Sequence, residues 1–154
     1  MKTVEQVGRL IYEYLNDKYI LEIACGSAEF SLMASSIANK IECIDLDDFR
    51  LLPEIHLATN VSFQKMDATK LLFPHESFDT VVTYNAIGHL SGIFEEILNE
   101  CFRVLRKGGV LCIITNWSLD KTVISDKVVP LFSARNLEYI TISKGKTICL
   151  VVRN

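Results

Sequence analysis

Basic clusters are missing from this chain: 16 Lys+Arg face 19 Asp+Glu, for a formal net charge of −3. Proteins that hold nucleic acid usually carry a basic stripe that displaces counterions from phosphate, so this balance argues against a nucleic-acid partner. The five cysteines, Cys25, Cys43, Cys101, Cys112 and Cys149, form no Cys-x-x-Cys pair, and several lie inside apolar runs where a thiol acts as a small hydrophobe. Reduced thiols, no metal site and a cytoplasmic location are the expectation. No apolar run approaches the ~20 residues of a membrane span. Lys2, Glu5, Arg9, Glu13, Asp17 and Lys18 interrupt the first twenty residues, so neither a signal peptide nor an anchor is expected. Internal repeats, linkers and low-complexity stretches are absent as well. What is present is 154 residues, 49% hydrophobic and 23% charged. A chain of that size buries about two-thirds of its unfolded surface and needs no metal or disulfide staple. One domain over residues 1–154 follows, with disorder and small disulfide scaffolds excluded.

Thr3 followed by Gln6 matches a capping box, and Val4, Val7, Leu10, Ile11, Tyr14 and Leu15 recur at helical spacing. An amphipathic helix over residues 1–18 is expected, with Tyr12, Tyr14 and Tyr19 placed to cover a site. Ile20–Ala24 then reads as a strand, Cys25-Gly26-Ser27 as a tight turn, and Phe30, Met33, Ala34 and Ile37 as a helix. Short apolar segments at Ile41–Ile44 and Val61–Lys65 each end near a carboxylate, Asp45 and Asp67. The two strands that read as most strongly buried, Asp79–Tyr84 and Val110–Ile114, surround a helix with a stripe of Phe94, Ile97, Leu98, Cys101, Phe102 and Leu105. Gly108-Gly109 would end that helix.

Strands alternating with helices imply right-handed crossovers and a mostly parallel sheet covered on both faces, an α/β fold. The tail differs. Leu137–Ser143 and Thr147–Val152 are separated by only Lys144-Gly145-Lys146, too short for a parallel crossover, so they must form an antiparallel hairpin. Between them and the last central strand, Asp120–Asn136 is hard to assign because Pro130 interrupts an apolar helical pattern.

In an open α/β sheet ligands bind beyond the carboxyl ends of the strands. The first strand ends in Glu22-Ile23-Ala24-Cys25-Gly26-Ser27-Ala28, where Gly26 lets backbone approach a ligand and the following helix offers free N–H groups. Asp45, 19 positions after Gly26, suits a carboxylate that accepts two hydrogen bonds from a ribose diol. Asp67 could accept from an exocyclic adenine amine. The three strand ends together outline a nucleoside-shaped site. The complete Gly-x-Gly-x-x-Gly of dinucleotide oxidoreductases is missing and the terminal hairpin is foreign to their all-parallel sheets, which disfavours that class.

These segments resemble the class I S-adenosylmethionine-dependent methyltransferases. The matching stretches are Leu21–Ala28, Ile44–Asp47, Met66–Ala68, Phe73–Val82 and Arg103–Gly109. The resemblance implies a Rossmann-like doubly wound sheet of seven strands, mostly parallel, with an antiparallel strand from the C-terminal hairpin. It also implies S-adenosyl-L-methionine as cofactor, with S-adenosyl-L-homocysteine as product. Glu22, Ala24, Cys25 and Gly26 would hold the methionine part, Asp45 with Leu46 the ribose, and Asp67 with Ala68 the adenine. Asn85 and His89 would lie beside the reacting methyl, His89 as the base if the acceptor loses a proton. Ala24 and Ala28 stand where the family often has glycine.

The expected activity is methyl transfer to a small-molecule acceptor by in-line displacement, in a monomer or homodimer. The alternative is a non-catalytic S-adenosylmethionine-binding or scaffold subunit of the same fold. Asn116 and Trp117, after the fifth strand, could line an acceptor pocket. His56 and His75 read as surface loop residues, and Cys25 has no evident base or cation to make it a nucleophile.

Overall fold

The computed structural model describes residues 2–154 and contains a seven-stranded sheet of strand order β3-β2-β1-β4-β5-β7-β6. The strands are β1 Tyr19–Ile23, β2 Lys40–Asp45, β3 Val61–Lys65, β4 Phe78–Tyr84, β5 Leu105–Asn116, β6 Tyr139–Lys144 and β7 Thr147–Arg153. β1 to β5 run parallel, and β7 is inserted antiparallel between β5 and β6. The expected hairpin is present, with Lys144 opposite Thr147 across a two-residue turn. This is the doubly wound α/β fold anticipated from the alternation of strands and helices.

Helices cover the sheet on both sides. α1 (Thr3–Leu10), α2 (Tyr12–Leu15) and α3 (Glu29–Ala34) bury Val4, Val7, Ile11, Leu15, Phe30 and Ala34 against Ile20, Ile41 and Cys43. On the other side α4 (Ile87–Leu90), α5 (Phe94–Val104), α6 (Trp117–Val123) and α7 (Val129–Ala134) enclose a second core of Leu21, Ile23, Ile44, Val81, Phe94, Ile97 and Phe132. A fully buried side chain of this size contributes roughly 1.5–3 kcal/mol, so the two layers, rather than helix propensity, stabilise these short helices. Strand periodicity assigns the faces. Leu21 and Ile23 point to the α5 side, while Ile20, and with it Glu22, points to the α3 side.

Several local expectations are revised. The N-cap of α1 is Lys2, whose N–H donates to Glu5 Oε2 at 3.1 Å, so the box is made by Glu5 and not by Thr3 and Gln6. Gly108 and Gly109 do not cap α5. The chain passes directly from α5 into β5, and the glycines form an irregularity in which Phe78 opposes Leu105 and Thr80 opposes Val110. Gly108 adopts φ +78°, and a Cβ on Gly109 would lie 2.8 Å from the Asp79 carbonyl oxygen, so backbone proximity selects glycine there. The Asp120–Asn136 segment is helical as far as Ala134, and Arg135 and Asn136 form the turn that follows. α6 runs into one π-turn at Ile124–Val128, and Pro130 sits in the first turn of α7, where its missing N–H costs nothing.

The crossovers are uneven. β2 and β3 are joined by a loop whose only regular element is a 3₁₀ turn, Pro53–Leu57, and no helix lies between β3 and β4. In the first of these Asp47 Oδ1 accepts from Phe49 N at 3.1 Å, a local turn bond that competes with helix. At the amino-terminal edge of the sheet the polar groups are spent on one another. Asp79 accepts from Tyr19 N at 2.9 Å and from Arg106 Nη1 at 2.8 Å, and Thr80 Oγ1 donates to Tyr14 O at 2.6 Å. No helix among the described residues is long and apolar enough to cross a membrane.

Candidate functional site

The opposite, carboxyl-terminal edge opens into a cleft of about 470 Å³. Its floor follows the strand order. Asp67 and Ala68 follow the end of β3, Asp45 ends β2 with Leu46 next, Ala24, Cys25 and Gly26 follow the end of β1, and Asn85 follows the end of β4, with His89 on the α4 that comes next. Parallel strands end on the same edge, so residues far apart in sequence stand side by side about one strand spacing apart.

Backbone conformation shapes the floor. Ala24 (φ +52°), Gly26 (φ +55°), Ala28 (φ +62°) and Asn85 (φ +52°) all occupy the left-handed region. Such a conformation costs an alanine on the order of 1 kcal/mol, and asparagine tolerates it better. The two alanines thus hold the conformation for which glycine would be preferred. Asp45 ties the turn to β2: its Oδ2 accepts from Gly26 N at 2.7 Å and its Oδ1 from Leu46 N at 2.7 Å. Asp67 accepts from both Thr69 N (2.8 Å) and Thr69 Oγ1 (2.7 Å), and these bonds hold its carboxyl below the usual carboxylate range. Burial raises the Tyr84 phenol. A hydrogen bond with Cys43, then burial, pushes the Cys25 thiol up, away from the thiolate form.

Of the residues singled out in the sequence, Glu22 is not part of the cleft lining. It is turned by the pleat toward α3, 1% exposed, and its Oε1 accepts from Ser31 N at 3.2 Å and Ser31 Oγ at 2.7 Å. Desolvation drives its carboxyl well above the ordinary range. It braces β1 to α3. The first helices do not line the cleft either. Residues of α1 line a separate groove against α3, and Tyr14 and Tyr19 lie toward the amino-terminal edge. Asn116 caps α6 by accepting from Ser118 N at 2.9 Å, and Trp117 lies outside the cleft. The structure adds Ser27, Glu29, Arg50, Tyr84 and Ile93 to the lining. Arg50 had no sequence signal, because its loop lacks periodicity. No group of three or more His, Cys, Asp or Glu able to hold a metal occurs among the described residues.

Residues 21–113 match the family described as the methyltransferase domain. The chain belongs to the class I S-adenosylmethionine-dependent methyltransferase family. Among sequence relatives of this methyltransferase domain is a Mycolicibacterium smegmatis protein named a probable S-adenosylmethionine-dependent methyltransferase, 29% identical over 96 residues, covering 62% of this chain and 37% of that one. A phthiotriol/phenolphthiotriol dimycocerosates methyltransferase of Mycobacterium leprae is 33% identical over 101 residues, covering 63% and 37%. The chain therefore spans little more than a third of the length of these relatives. An S-adenosylmethionine-dependent methyltransferase from Aquifex aeolicus shares the fold, with a TM-score of 0.73 at 16% identity over 98% of this chain and 88% of that one.

Proposed function

We propose that this chain binds S-adenosylmethionine in the strand-end cleft and transfers its methyl group to a small-molecule acceptor by in-line displacement. The Asp45 carboxylate carries the reading. It is fixed from two sides by backbone N–H groups, and a carboxylate has roughly four acceptor positions, so about two remain for a vicinal diol. The residues present fit the cofactor in other respects. The floor is made of backbone in left-handed turns that admits close approach, the cleft volume lies in the range of small-molecule sites, and the acidic lining favours a cationic ligand. Similarity to a methyltransferase named for phthiotriol dimycocerosates supports an acceptor other than nucleic acid.

When bound, S-adenosylmethionine supplies an electrophilic methyl on a sulfonium that is already an excellent leaving group. The protein's task is then positioning, which contributes on the order of 7–11 kcal/mol when donor and acceptor are held collinear. In this reading Asp45 orients the ribose, and Asp67, whose Oδ2 takes no part in the Thr69 bonds, orients the adenine together with the Ala68 backbone. Ala24, Cys25 and Gly26 provide the close backbone approach, with Leu46 packing beside the ribose. Asn85 sits where β4 meets the cleft and points the acceptor toward the methyl, and His89, exposed at the rim, takes a proton where the acceptor must lose one.

Calorimetric titration with S-adenosylmethionine and S-adenosylhomocysteine tests the reading, with Asp45→Ala alongside. Micromolar binding that the variant loses supports it. Conversion of S-adenosylmethionine to S-adenosylhomocysteine with any small acceptor then separates an enzyme from a binding subunit. Absence of binding by the wild-type chain would sink it.

A further inference from the structure

We propose that Arg50 is the anion-binding residue of the cleft, taking the carboxylate at the amino-acid end of the cofactor; this rests on the cofactor reading above. The loop after β2 folds back over the turn after β1, pinned where Leu52 N donates to Ser27 O at 3.1 Å. This brings the Arg50 guanidinium onto Gly26, with Nη2 2.8 Å from where a Cβ on that glycine would be. Any side chain at position 26 would displace it. Arg50 makes no ion pair and no hydrogen bond among the described residues, although Glu29 and Asp45 line the same cleft, so its donors are available.

Charge and position both select the ligand group. Apart from His89, the titratable lining comprises the acids Glu29, Asp45 and Asp67, the Tyr84 and Cys25 groups, and the single permanent cation Arg50. S-adenosylmethionine carries two positive groups, sulfonium and ammonium, and one negative group, a carboxylate. An acidic cleft with one guanidinium is the complement of that pattern. Position then follows from strand order. With adenine at β3 and ribose at β2, the remaining part of the ligand extends over β1 toward β4, and Arg50 stands over the β1 turn, one strand beyond Asp45. A guanidinium presents paired N–H donors that match a carboxylate bidentately. The β2–β3 loop thereby replaces the N-terminal helix as the segment that closes the amino-acid end.

The test compares two ligands that differ only at that end: S-adenosylhomocysteine, and 5′-methylthioadenosine, which keeps the adenosine and lacks the amino-acid part. Arg50→Gln should weaken S-adenosylhomocysteine binding by roughly 10- to 100-fold, the range for a lost charge-assisted hydrogen-bond pair, and leave 5′-methylthioadenosine binding unchanged. Arg50→Lys should fall between, since it keeps the charge and loses the fork. Arg50 is exposed, so the variants should melt with the wild type. Equal binding of both ligands by wild type and Arg50→Gln overturns the proposal. An equal loss for both ligands overturns it too, because Arg50 would then be holding the loop rather than a carboxylate. A wild type that binds neither ligand refutes the cofactor reading itself, which the first titration reveals before any variant is made.

Discussion

The two edges of the sheet carry similar polar groups and put them to opposite uses. At the amino-terminal edge, Asp79 is consumed by Tyr19 N and Arg106, Thr80 by the Tyr14 carbonyl, and Arg153 by the Gly108 carbonyl at 2.6 Å. At the carboxyl-terminal edge, Asp45 is oriented by short bonds to Leu46 N and to the turn after β1, and Asp67 by bonds to Thr69, while oxygen capacity remains, and Arg50 is held near Gly26 without a partner among the described residues. One edge is closed by its hydrogen bonds and the other is aimed by them. Charge density alone does not distinguish a site; residual bonding capacity on a stiff frame does.

That contrast can be broken by exchanging which edge is damaged. Asp45→Ala should reduce S-adenosylhomocysteine affinity by about 100-fold or more, since it removes the diol acceptor and frees the Gly26 turn, and titration calorimetry would register it. Asp79→Ala should do the reverse. It should cost about 1–2 kcal/mol in denaturant unfolding, chiefly from the orphaned Tyr19 N–H because the exposed Arg106 pair contributes little, with ligand affinity within about threefold of wild type. An affinity loss in Asp79→Ala matching that of Asp45→Ala would show that the edges are not independent.

Glu22 sharpens the comparison, being a carboxylate near the site yet buried away from it. Its folded pKa lies above its unfolded value, so the stability it contributes is complete below the ordinary carboxyl range and declines as pH rises toward the raised value. Glu22→Gln, which can still accept from Ser31, should gain on the wild type as pH increases from about 5 to 7, by at most about 1.4 kcal/mol per pH unit. Parallel denaturation curves with a constant gap across that range would mean that Glu22 ionises normally. The smallest effect belongs to Ala24→Gly. Relief of the left-handed alanine should raise stability by about 0.5–1 kcal/mol, visible as a melting shift of a few degrees.

The strand ends were readable from sequence because a parallel sheet leaves them no choice. Once Ile41–Ile44 and Val61–Lys65 are parallel neighbours, Asp45 and Asp67 must share an edge with Gly26 and Asn85. The terminal hairpin was readable for a similar reason, three residues being too few for a crossover. Glycine was ambiguous. A Gly-Gly pair after a helical stripe fits a helix end as well as a bulge, and only the Asp79 backbone beside Gly109 decides. Glu22 lies outside the cleft lining, and period-2 alternation with Ile20 already turned it toward α3. Arg50 was beyond reach, since its position depends on local turn bonds and the Leu52–Ser27 bond in a loop without periodicity.

The ladder between β1 and β4 has consequences for the order in which the molecule assembles. It registers only three residue pairs, Ile20 with Thr80 through Glu22 with Val82, against five between β1 and β2, and it joins positions 60 apart in the chain. Closing a loop of that length has an entropic cost, so this seam is expected to form late in folding. The seam also runs directly beneath the cleft, with Gly26 at the end of one strand and Asn85 at the end of the other. A ligand bound across both strands acts as a rivet on it. Slowed amide exchange in β1 and β4, more than in β6 and β7, is the signature by which occupancy would be felt in the interior.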